Sequence, residues 1–428
     1  MIAVRPGSPL AGSVTVDGSK NAALPLLATA AAVRRNVQLE NVPASADVQA
    51  MVALVHRIGW HVAQAVGRPD TLLVMAPEHP PAVPDLSRAS AIRASYYLVP
   101  ALLALRGSAR LPWPGGCRIG QRGMELHFKV YEVFGDHVTV QDAGYAVEAG
   151  GQGSGGTVSH ALPFRSRGAT IAAVLRAVVA DRALRLVLPN LSPEVLAVLD
   201  ALRSVGWQAK VNDRLLALYP ASTPTDEIPA WRVPGDKIEA GTLACAVAAT
   251  GGKARIAGIH GRDLVPFQAA LQRLGIRASV RDTTLLIDGS NASPTGRPLR
   301  AIASLAPEGL DADFEPPLMA LALGRPGTHL FADSINPGRH GNLLPQLARL
   351  RADIEEISPT ECRLTGPQRL TGAGVEATDI RTGSALMVAA LTARGITTLG
   401  GVAQLRRGHA DLLGKLLQLG ADICEVAP

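Results

Sequence analysis

Residues 417–423 read LQLGADI, in which an apolar helix end is followed by a glycine and the start of a short strand. The same pattern occurs with a glycine in four other segments, HRIGW at 56–60, EVFGD at 132–136, RSVGW at 203–207 and QRLGI at 272–276, and with an arginine in its place in ARLRADI at 348–354. The positions equivalent to Gly420 are 59, 135, 206, 275 and 351, so successive spacings are 76, 71, 69, 76 and 69 residues. Six repeats of about seventy residues therefore fill the chain. A glycine directly after the second helix of a repeat is typical of a left-handed helix cap.

Within each repeat, the predicted elements follow one order. A helix rich in small residues comes first, as at 20–33 or 241–249. A short strand follows, as at 254–256, then an amphipathic helix, as at 48–58, and further strands, as at 215–219. This order predicts βαβαββ units and an α/β (α+β) protein.

Six units divide naturally into three and three. The proline-rich segment 220–234 is the predicted crossover. We therefore expect one domain over 18–230 and a second domain formed by 1–17 and 231–428, with the leading strand 2–4 pairing in the second half. Two similar domains leave a cleft between them, the usual place for a ligand, although the repeat alone carries no chemistry.

The composition is that of a globular protein, since 47% of the 428 residues are apolar and 18% are charged. No basic and apolar leader precedes Ala11, and no apolar stretch reaches the roughly eighteen residues of a membrane span, which predicts a cytoplasmic protein away from the membrane. The net charge is +6. No run of Lys and Arg with interleaved aromatics occurs, so scattered arginines suit a small anionic substrate better than nucleic acid.

Four cysteines, at 117, 245, 362 and 424, are too few for a disulfide framework and form no C-x-x-C pair. Cys117 differs from the others because it lies in PGGC at 114–117, within the glycine- and proline-rich stretch 111–128 that also carries Arg118 and Arg122. A thiol flanked by guanidinium groups is expected to be reactive, and a mobile loop could bring it to a substrate. The alternative is a surface loop with an incidental cysteine.

Cations open three of the predicted small-residue helices, namely Lys20, Arg93 and Arg381. Helix N-termini favour anions, so equivalent cations at three helix starts indicate an anionic ligand, although each alone could be a solvated side chain.

Asp313, in DADFE at 311–315, precedes a predicted helix, where carboxylates are usually caps. Arg406-Arg407-Gly408 occupies the predicted turn before the last helix and is either a solvated pair or an anion receptor. Ten histidines without H-x-x-x-H or H-E-x-x-H spacing predict no metal site.

Taken in order over six repeats, these residues resemble the enolpyruvyl transferase family. The residues that carry the resemblance are Lys20-Asn21, Arg93, the PGGC loop with Cys117, Arg122, Asp313, Arg381 and Arg407-Gly408. The resemblance spans essentially the whole chain, and the PGGC loop together with SKNA at 19–22 is specific. It implies two inverse α/β-barrel domains, each of three βαβαββ repeats, and a reaction that moves the enolpyruvyl group of phosphoenolpyruvate to an acceptor hydroxyl.

The resemblance also implies roles for individual residues. Lys20, Arg122 and Arg407 hold the anionic groups of phosphoenolpyruvate, with Arg93 and Arg381 supporting them. Cys117 protonates the methylene carbon and can form a covalent adduct, and Asp313 takes the proton of the acceptor hydroxyl. No metal or organic cofactor is needed. The implied acceptor contacts come from Asn21, Arg122, Glu125, Leu126, His127, Ser166, Gly168, Asp313 and Arg339.

Around the acceptor the chain departs from the branch of the family that acts in peptidoglycan synthesis. Gly123 and Glu125 stand where Pro and Asp are usual. A loop that normally reads DKVSVGAT is PFRSRGAT at 163–170, the acidic REPEI stretch is LSPEV at 191–195, and the final DRG is RRG at 406–408. Retained uridine-side residues with a remodelled diphosphate loop resemble the branch in nucleoside-antibiotic pathways that uses the ribose 3'-hydroxyl of UMP.

Other interpretations stay open at this point. UDP-N-acetylglucosamine is the alternative acceptor, and shikimate 3-phosphate fits less well because that branch lacks the PGGC loop. A paralogue that binds a uridine nucleotide without catalysis is a third interpretation, against which the joint presence of Cys117 and Asp313 argues. A monomer or a weak homo-oligomer is expected.

Overall fold

A computed structural model describes residues 1–79, 81, 83–116, 123–150, 156–220, 227–290 and 297–426. The chain forms two compact units. The central unit comprises residues 18–116 and 123–234, and the terminal unit comprises residues 1–17 and 235–426. Each unit has its own hydrophobic core. The expected boundary at 230/231 falls within the strand Ala230–Arg232, and the division lies instead at Gly235.

The central unit contains three sheets. Their strands, in spatial order, are Ala230–Arg232, Val37–Glu40, Arg68–Met75 and His61–Ala65; Gln208–Val211, Leu215–Tyr219, Leu184–Val187 and Val158–Ala161; and Ser108–Pro112, Gly144–Glu148 and His137–Gln141. Its α-helices are Lys20–Val33, Ala46–Arg57, Val99–Arg106, Glu125–Val133, Arg167–Ala180 and Pro193–Ser204, with 3-10 helices at Ser87–Ala91 and Arg93–Leu98.

The terminal unit also contains three sheets. Their strands are Gly374–Glu376, Thr397–Gly400, Ile2–Arg5 and Asp422–Glu425; Arg277–Arg281, Thr284–Asp288, Lys253–Ala257 and Ala11–Thr15; and Arg300–Ile302, Gly327–Ala332, Glu361–Gly366 and Ile354–Ser358. Its α-helices are Lys237–Ala249, Val265–Arg273, Glu315–Ala322, Arg339–Arg349, Ile380–Ala390, Val402–Gly408 and Leu412–Gln418, with 3-10 helices at Gly261–Leu264 and Ala312–Phe314.

Three helices pack against one another in the core of each unit, and we call them the core helices. They are Lys20–Val33, Val99–Arg106 and Arg167–Ala180 in the central unit, and Lys237–Ala249, Glu315–Ala322 and Ile380–Ala390 in the terminal unit. All eleven residues of Ile380–Ala390 are buried. Such helices have no polar face, which explains why alanine, glycine and other small residues fill them. The small-residue helix predicted at 20–33 is therefore confirmed, and the one predicted at 241–249 is also present but begins earlier, at Lys237.

All six repeat anchors have the left-handed backbone that the sequence pattern predicts. The five glycines have φ between 78° and 104°, as at Gly275 and Gly59. The sixth anchor, Arg351, has a φ of 64° without the steric freedom of a glycine. The cap geometry is therefore set by the turn from helix to strand, and glycine is its preferred residue rather than its requirement.

The N-terminal strand completes the last sheet of the terminal unit, as expected. Ile2–Arg5 pairs antiparallel with both Thr397–Gly400 and Asp422–Glu425. Strands from the two ends of the described chain thus lie in one sheet, joined by backbone hydrogen bonds.

The strand before the first repeat pairs with a strand of the fourth repeat, and the strand before the fourth repeat pairs with a strand of the first repeat. Ala11–Thr15 pairs in parallel with Lys253–Ala257 in the terminal unit, whereas Ala230–Arg232 pairs in parallel with Val37–Glu40 in the central unit. Among the described residues, the chain passes between units at 17/18 and at 234/235. The segment 220–234 contains the second passage but is not all linker, because it includes a strand.

Asp17, the last residue before the first passage, is anchored inside the terminal unit. The Lys415 Nζ atom lies 2.7 Å from Asp17 Oδ2 and 2.8 Å from Glu239 Oε2, and the Asp17 amide donates to the same Glu239 oxygen at 2.8 Å. This buried network ties the strand segment to the helices Lys237–Ala249 and Leu412–Gln418.

Replacing Gly18 or Gly235 by Ala should destabilise the protein by at least about 2 kcal/mol. A Cβ atom at Gly18 would overlap the backbone oxygen of Asn41, and one at Gly235 would overlap that of Gly258. Denaturant unfolding measures the effect. Gly7→Ala is the control, because a Cβ there meets nothing within 4 Å. Wild-type unfolding midpoints in both variants would contradict the argument.

Candidate active site

The starts of the core helices of the terminal unit carry its charged candidate residues. Arg381, at the start of Ile380–Ala390, lies 3.0 Å from Asp313, which lies in the 3-10 turn before Glu315–Ala322. Lys237, the first residue of Lys237–Ala249, lies 2.8 Å from Asp311 in the same segment as Asp313. Helix N-termini present a positive dipole end, and the side-chain cations add to it, so this arrangement suits an anionic ligand.

Asp313 is held by two arginines. Its Oδ1 atom lies 2.7 Å from an Arg339 guanidinium nitrogen, and its Oδ2 atom lies 3.0 Å from one of Arg381. The Asp313 side chain is 21% exposed, whereas Arg339 is 1% exposed. Burial by itself lowers the pKa of both arginines, but the nearby carboxylates outweigh it, so their pKa values are raised and both stay charged. The structure thus brings together three of the predicted site residues: Asp313, Arg339 and Arg381.

Asp311, by contrast, has the capping role that the sequence pattern favours for carboxylates at this position. Its side chain accepts from the backbone N–H of Asp313 at the start of the 3-10 helix Ala312–Phe314. The segment therefore uses one carboxylate as a cap and presents the other to the arginines.

Arg407 lies in the helix Val402–Gly408, so the expected turn at 406–408 is wrong. The segment QLRRG continues a helical turn because no residue before Gly408 breaks it. Arg407 donates to the side chain of Gln404 at 3.3 Å, and exposed Arg406 pairs with Glu425 at 3.0 Å. The following His409 lies 3.2 Å from Arg381, which places the end of this helix beside the Asp313 cluster.

Lys20 lies at the start of a core helix of the central unit, as predicted. It is the first residue of Lys20–Val33, is 9% exposed, and its Nζ atom lies 3.1 Å from Asp47. Asn21 follows it and is half-buried. The ion pair explains how a lysine is kept in a buried position, because a buried charge needs a partner.

Arg93 does not open the next core helix directly. It begins the 3-10 helix Arg93–Leu98, which leads into Val99–Arg106. Pro100 explains the difference, because proline at the second position of Val99–Arg106 favours a helix start there. Arg93 donates to the backbone oxygen of Gly123 at 3.2 Å and lies 6.0 Å from the centre of the Tyr96 ring.

His127 is a buried histidine whose two ring nitrogens have no hydrogen-bond partner among the described residues. Burial, helped by the charge of Arg93, lowers its pKa to about 3. Its ring centre lies 4.4 Å from that of Tyr96. A Cβ atom at position 168 would overlap both side chains, so Gly168 is what allows this contact. His127, Tyr96 and Gly168 therefore form one neutral pocket wall with unused hydrogen-bonding capacity.

Ser166 caps the core helix Arg167–Ala180 by accepting from the backbone N–H of Ala169 at 3.3 Å. The arginines on either side of Ser166 contact the segment 189–194. Arg165 donates to the Pro189 backbone oxygen at 3.0 Å, and Arg167 donates to Ser192 at 3.2 Å and lies 3.5 Å from Glu194. The expected acceptor residues Glu125 and Leu126 begin the helix Glu125–Val133, where Glu125 is exposed and Leu126 is half-buried.

Two predicted residues, Cys117 and Arg122, lie outside the described residues. Among the residues that are described, no three His, Cys, Asp or Glu side chains are grouped as a metal site would require. Within the same described part of the chain, no helix combines the length and the apolar character needed to cross a membrane.

Sequence reasoning missed several partners, of which Lys237 had a detectable signal. VPGDK at 233–237 repeats VDGSK at 16–20, so Lys237 is the counterpart of Lys20. The other partners, such as Asp47, His340 and Glu315, had no such signal because only folding brings them next to their charges.

Comparison with known proteins places the chain in a family. A family model described as EPSP synthase (3-phosphoshikimate 1-carboxyvinyltransferase) matches residues 4–416. The chain is 33% identical over 436 residues to the UDP-N-acetylglucosamine 1-carboxyvinyltransferase of Sphingopyxis alaskensis, covering 99% of this chain and 98% of that protein. It is 31% identical over 424 residues to UDP-N-acetylglucosamine 1-carboxyvinyltransferase 1 of Halalkalibacterium halodurans, covering 99% and 93%.

Solved structures agree with this assignment. The enolpyruvyl transferase NikO of Streptomyces tendae has a TM-score of 0.85 at 25% identity, over 100% of this chain and 99% of that one. EPSP synthase from Acinetobacter baumannii has a TM-score of 0.76 at 17% identity, which shows the shared fold. The chain therefore belongs to the EPSP synthase family of enolpyruvyl (1-carboxyvinyl) transferases. Its expected α/β fold and its enzyme class are confirmed.

The buried neutral His127 should make the stability of the protein depend on pH. Its folded pKa is depressed, so its contribution to stability is present above the ordinary value near 6.5 and is lost as pH falls toward 3. Between pH 7 and 5, the unfolding free energy of the wild type should fall by about 2 kcal/mol more than that of His127→Gln. Urea unfolding at both pH values measures this difference.

The matched control is His137→Gln, an exposed histidine of the same unit. It should keep the pH dependence of the wild type. Equal pH dependence in the wild type and in His127→Gln would show that the imidazole is not buried as a neutral group.

Proposed function

We propose that this protein transfers the enolpyruvyl group of phosphoenolpyruvate to a uridine nucleotide, specifically to the ribose 3'-hydroxyl of UMP, and releases phosphate. The observation that carries the proposal is the Asp313 carboxylate, held between Arg339 and Arg381, each of which lies at the start of a helix. A carboxylate can take a hydroxyl proton, and the arginines beside it can receive anionic substrate groups.

Phosphoenolpyruvate carries a phosphate and a carboxylate, and five cations are proposed to receive them. Lys20, Arg122 and Arg407 hold these groups, and Arg93 and Arg381 support them. The positions of Lys20 and Arg381 at helix starts support this assignment, because each adds a side-chain charge to the positive end of a helix dipole.

The proposed reaction is an addition followed by an elimination. Asp313 takes the proton of the acceptor hydroxyl while the hydroxyl oxygen bonds to C2 of phosphoenolpyruvate. Cys117 donates a proton to the methylene C3. The resulting tetrahedral ketal then loses a proton from C3 as the bond from C2 to the phosphate oxygen breaks, which restores the double bond. No other reactant is required for atoms and electrons to balance.

This role is helped by a change at Asp313 during the cycle. Each of its carboxylate oxygens contacts one guanidinium group and keeps a second lone pair for a proton. If one arginine turns to a substrate anion, the carboxylate becomes a stronger base. Arg381 is the better candidate, because Arg339 is also bonded to Ala312 and Asp333.

The choice of UMP rests on the loop that precedes the core helix Arg167–Ala180. Phe164 stands where the peptidoglycan branch has a lysine, and it is 52% exposed. The charge of Arg167 is engaged by Glu194 and Ser192. A second phosphate would therefore find neither the usual lysine nor the charge of Arg167, and Arg165 is turned to the Pro189 backbone oxygen, which favours an acceptor with a single phosphate.

UDP-N-acetylglucosamine is the second candidate acceptor. The observation in its favour is that the relatives named above are 1-carboxyvinyltransferases of this amino sugar nucleotide and match nearly the whole chain. In that case the changes at 164, 165, 167 and 192 are tolerated within the same pocket.

Phosphate release from phosphoenolpyruvate separates these possibilities. We expect release when UMP is added and a rate at least about tenfold lower with UDP-N-acetylglucosamine, which corresponds to ~1.4 kcal/mol of discrimination. Cys117→Ala and Asp313→Asn should abolish release and serve as controls for background hydrolysis. Release with the amino sugar nucleotide alone would overturn the UMP assignment, and no release with either nucleotide would leave only a nucleotide-binding role.

A paired substitution tests the loop directly. In Phe164→Lys/Arg167→Val the usual lysine returns and the committed arginine is removed, with no change in net charge. We expect the ratio of kcat/KM for UDP-N-acetylglucosamine over UMP to rise about tenfold. The matched control is Arg185→Val, an exposed arginine on the strand Leu184–Val187, which should not change the ratio. An unchanged ratio in the paired variant would show that the loop does not select the acceptor.

A further inference from the structure

The terminal unit contains a buried ion pair that the proposed reaction does not use. The His340 Nε2 atom lies 2.8 Å from Glu315 Oε1, and the two residues are 1% and 0% exposed. The remaining side-chain polar atoms, His340 Nδ1 and Glu315 Oε2, have no hydrogen-bond partner in the described part of the chain. A pair of this kind is costly to bury, and its place in the fold calls for a physical explanation.

The pair lies beside the residues that hold Asp313. His340 directly follows Arg339 at the start of Arg339–Arg349, and Glu315 comes two residues after Asp313. Two contacts therefore connect the same two segments: Arg339 with Asp313 at 2.7 Å, and His340 with Glu315 at 2.8 Å. If the second contact is lost, the start of the helix can shift, and Arg339 moves with it.

Charge balance gives the pair a second effect. The cluster around Arg339 holds three carboxylates, of Asp313, Glu315 and Asp333, against two arginines, Arg339 and Arg381. One proton on the Glu315–His340 pair makes the group neutral. Without that proton, the charge of Glu315 is no longer balanced by His340. This excess negative charge attracts Arg339 and Arg381 away from Asp313.

Other charged groups near the cluster are already compensated. Asp379 and Asp236 accept backbone N–H groups at the starts of their helices, and Lys237 is paired with Asp311 at 2.8 Å. The Cys362 thiol, which also faces Glu315, has a raised pKa, mainly because it is buried, and stays neutral. His409, a second buried histidine beside the cluster, lies on the side of Arg381, whose guanidinium it contacts at 3.2 Å. The proton on the pair is therefore the adjustable charge next to Arg339.

We infer that His340 is a positioning residue for Asp313: protonated and paired with Glu315, it holds Arg339 on the Asp313 carboxylate and keeps the buried cluster neutral. The inference rests on the proposed function for the role of Asp313 as a base. Its structural part, the coupling between His340 and Asp313 through Arg339, does not depend on turnover.

The protonation state agrees with this geometry. Burial by itself lowers the pKa of His340, but the hydrogen bond and charge of Glu315, with the charge of Asp333, outweigh burial and raise it above the ordinary value. The stabilisation from this proton is thus fully present below about pH 6.5 and is lost as pH rises through the higher folded pKa.

The first experiment is a double-mutant cycle on unfolding, which needs no activity. His340→Gln and Asp313→Asn should shift the denaturant midpoint non-additively, because both act on Arg339. The matched control is His329→Gln, a histidine that is also 1% exposed but bonds Leu299 and Arg325 instead. Its effect should add to that of Asp313→Asn. Additive effects of His340→Gln and Asp313→Asn would overturn the inference, whatever the enzyme is found to catalyse.

The second experiment is the pH profile of phosphate release from phosphoenolpyruvate with the accepted nucleotide. In Glu315→Gln the alkaline limb of kcat should move down by about one pH unit, because His340 loses the partner that keeps its proton. His340→Gln/Glu315→Gln should lack this limb and have kcat about tenfold lower, whereas His329→Gln should keep the limb of the wild type.

An unmoved alkaline limb in Glu315→Gln would overturn the inference. A wild-type rate in Asp313→Asn would instead show that Asp313 is not the base. That result would leave the outcome of the double-mutant unfolding cycle unchanged. The two failures are therefore distinguishable.

Discussion

The complete burial of the core helices is the constraint on which the rest of the structure depends. A helix such as Ile380–Ala390, with all its residues buried, can present polar groups only at its ends. Its free N–H groups need partners there, and the Asp379 side chain supplies two of them. The helix starts are therefore the places where this fold can concentrate charge. Lys20, Lys237 and Arg381 all occupy such positions.

The burial of the core helices also explains how the sheets are arranged around them. Helices without a polar face need sheets on the sides that neighbouring core helices do not cover, and each unit contains three sheets. The last sheet of the terminal unit is completed by Ile2–Arg5, from the other end of the chain. Because Ala11–Thr15 pairs in the terminal unit, that unit is built from two separated segments of the sequence, 1–17 and 235–426. Only small residues such as Gly18 fit where the backbone makes these passages.

Elements with a strong local signal could be predicted from the sequence. The helix Lys20–Val33 and the strand Leu215–Tyr219 have the expected bounds, because their apolar patterns end at clear helix or strand boundaries. The predictions failed where local signals compete. Arg407 was expected in a turn but lies in a helix, since a glycine at 408 can end a helix as well as form a turn. Arg93 was placed at the start of an α-helix, but a 3-10 turn comes first.

Local sequence patterns were sufficient for the repeat, the α/β class, the family resemblance and the identity of the charged residues at helix starts, because each depends on spacing along the chain. The pairing of those charges was decided by tertiary structure. Asp313 lies 26 residues from Arg339, and Glu315 lies 25 residues from His340, yet both pairs are in contact. Desolvation and charge balance act across space and not along the chain, so the partners of a buried charge become known only when the helices have packed.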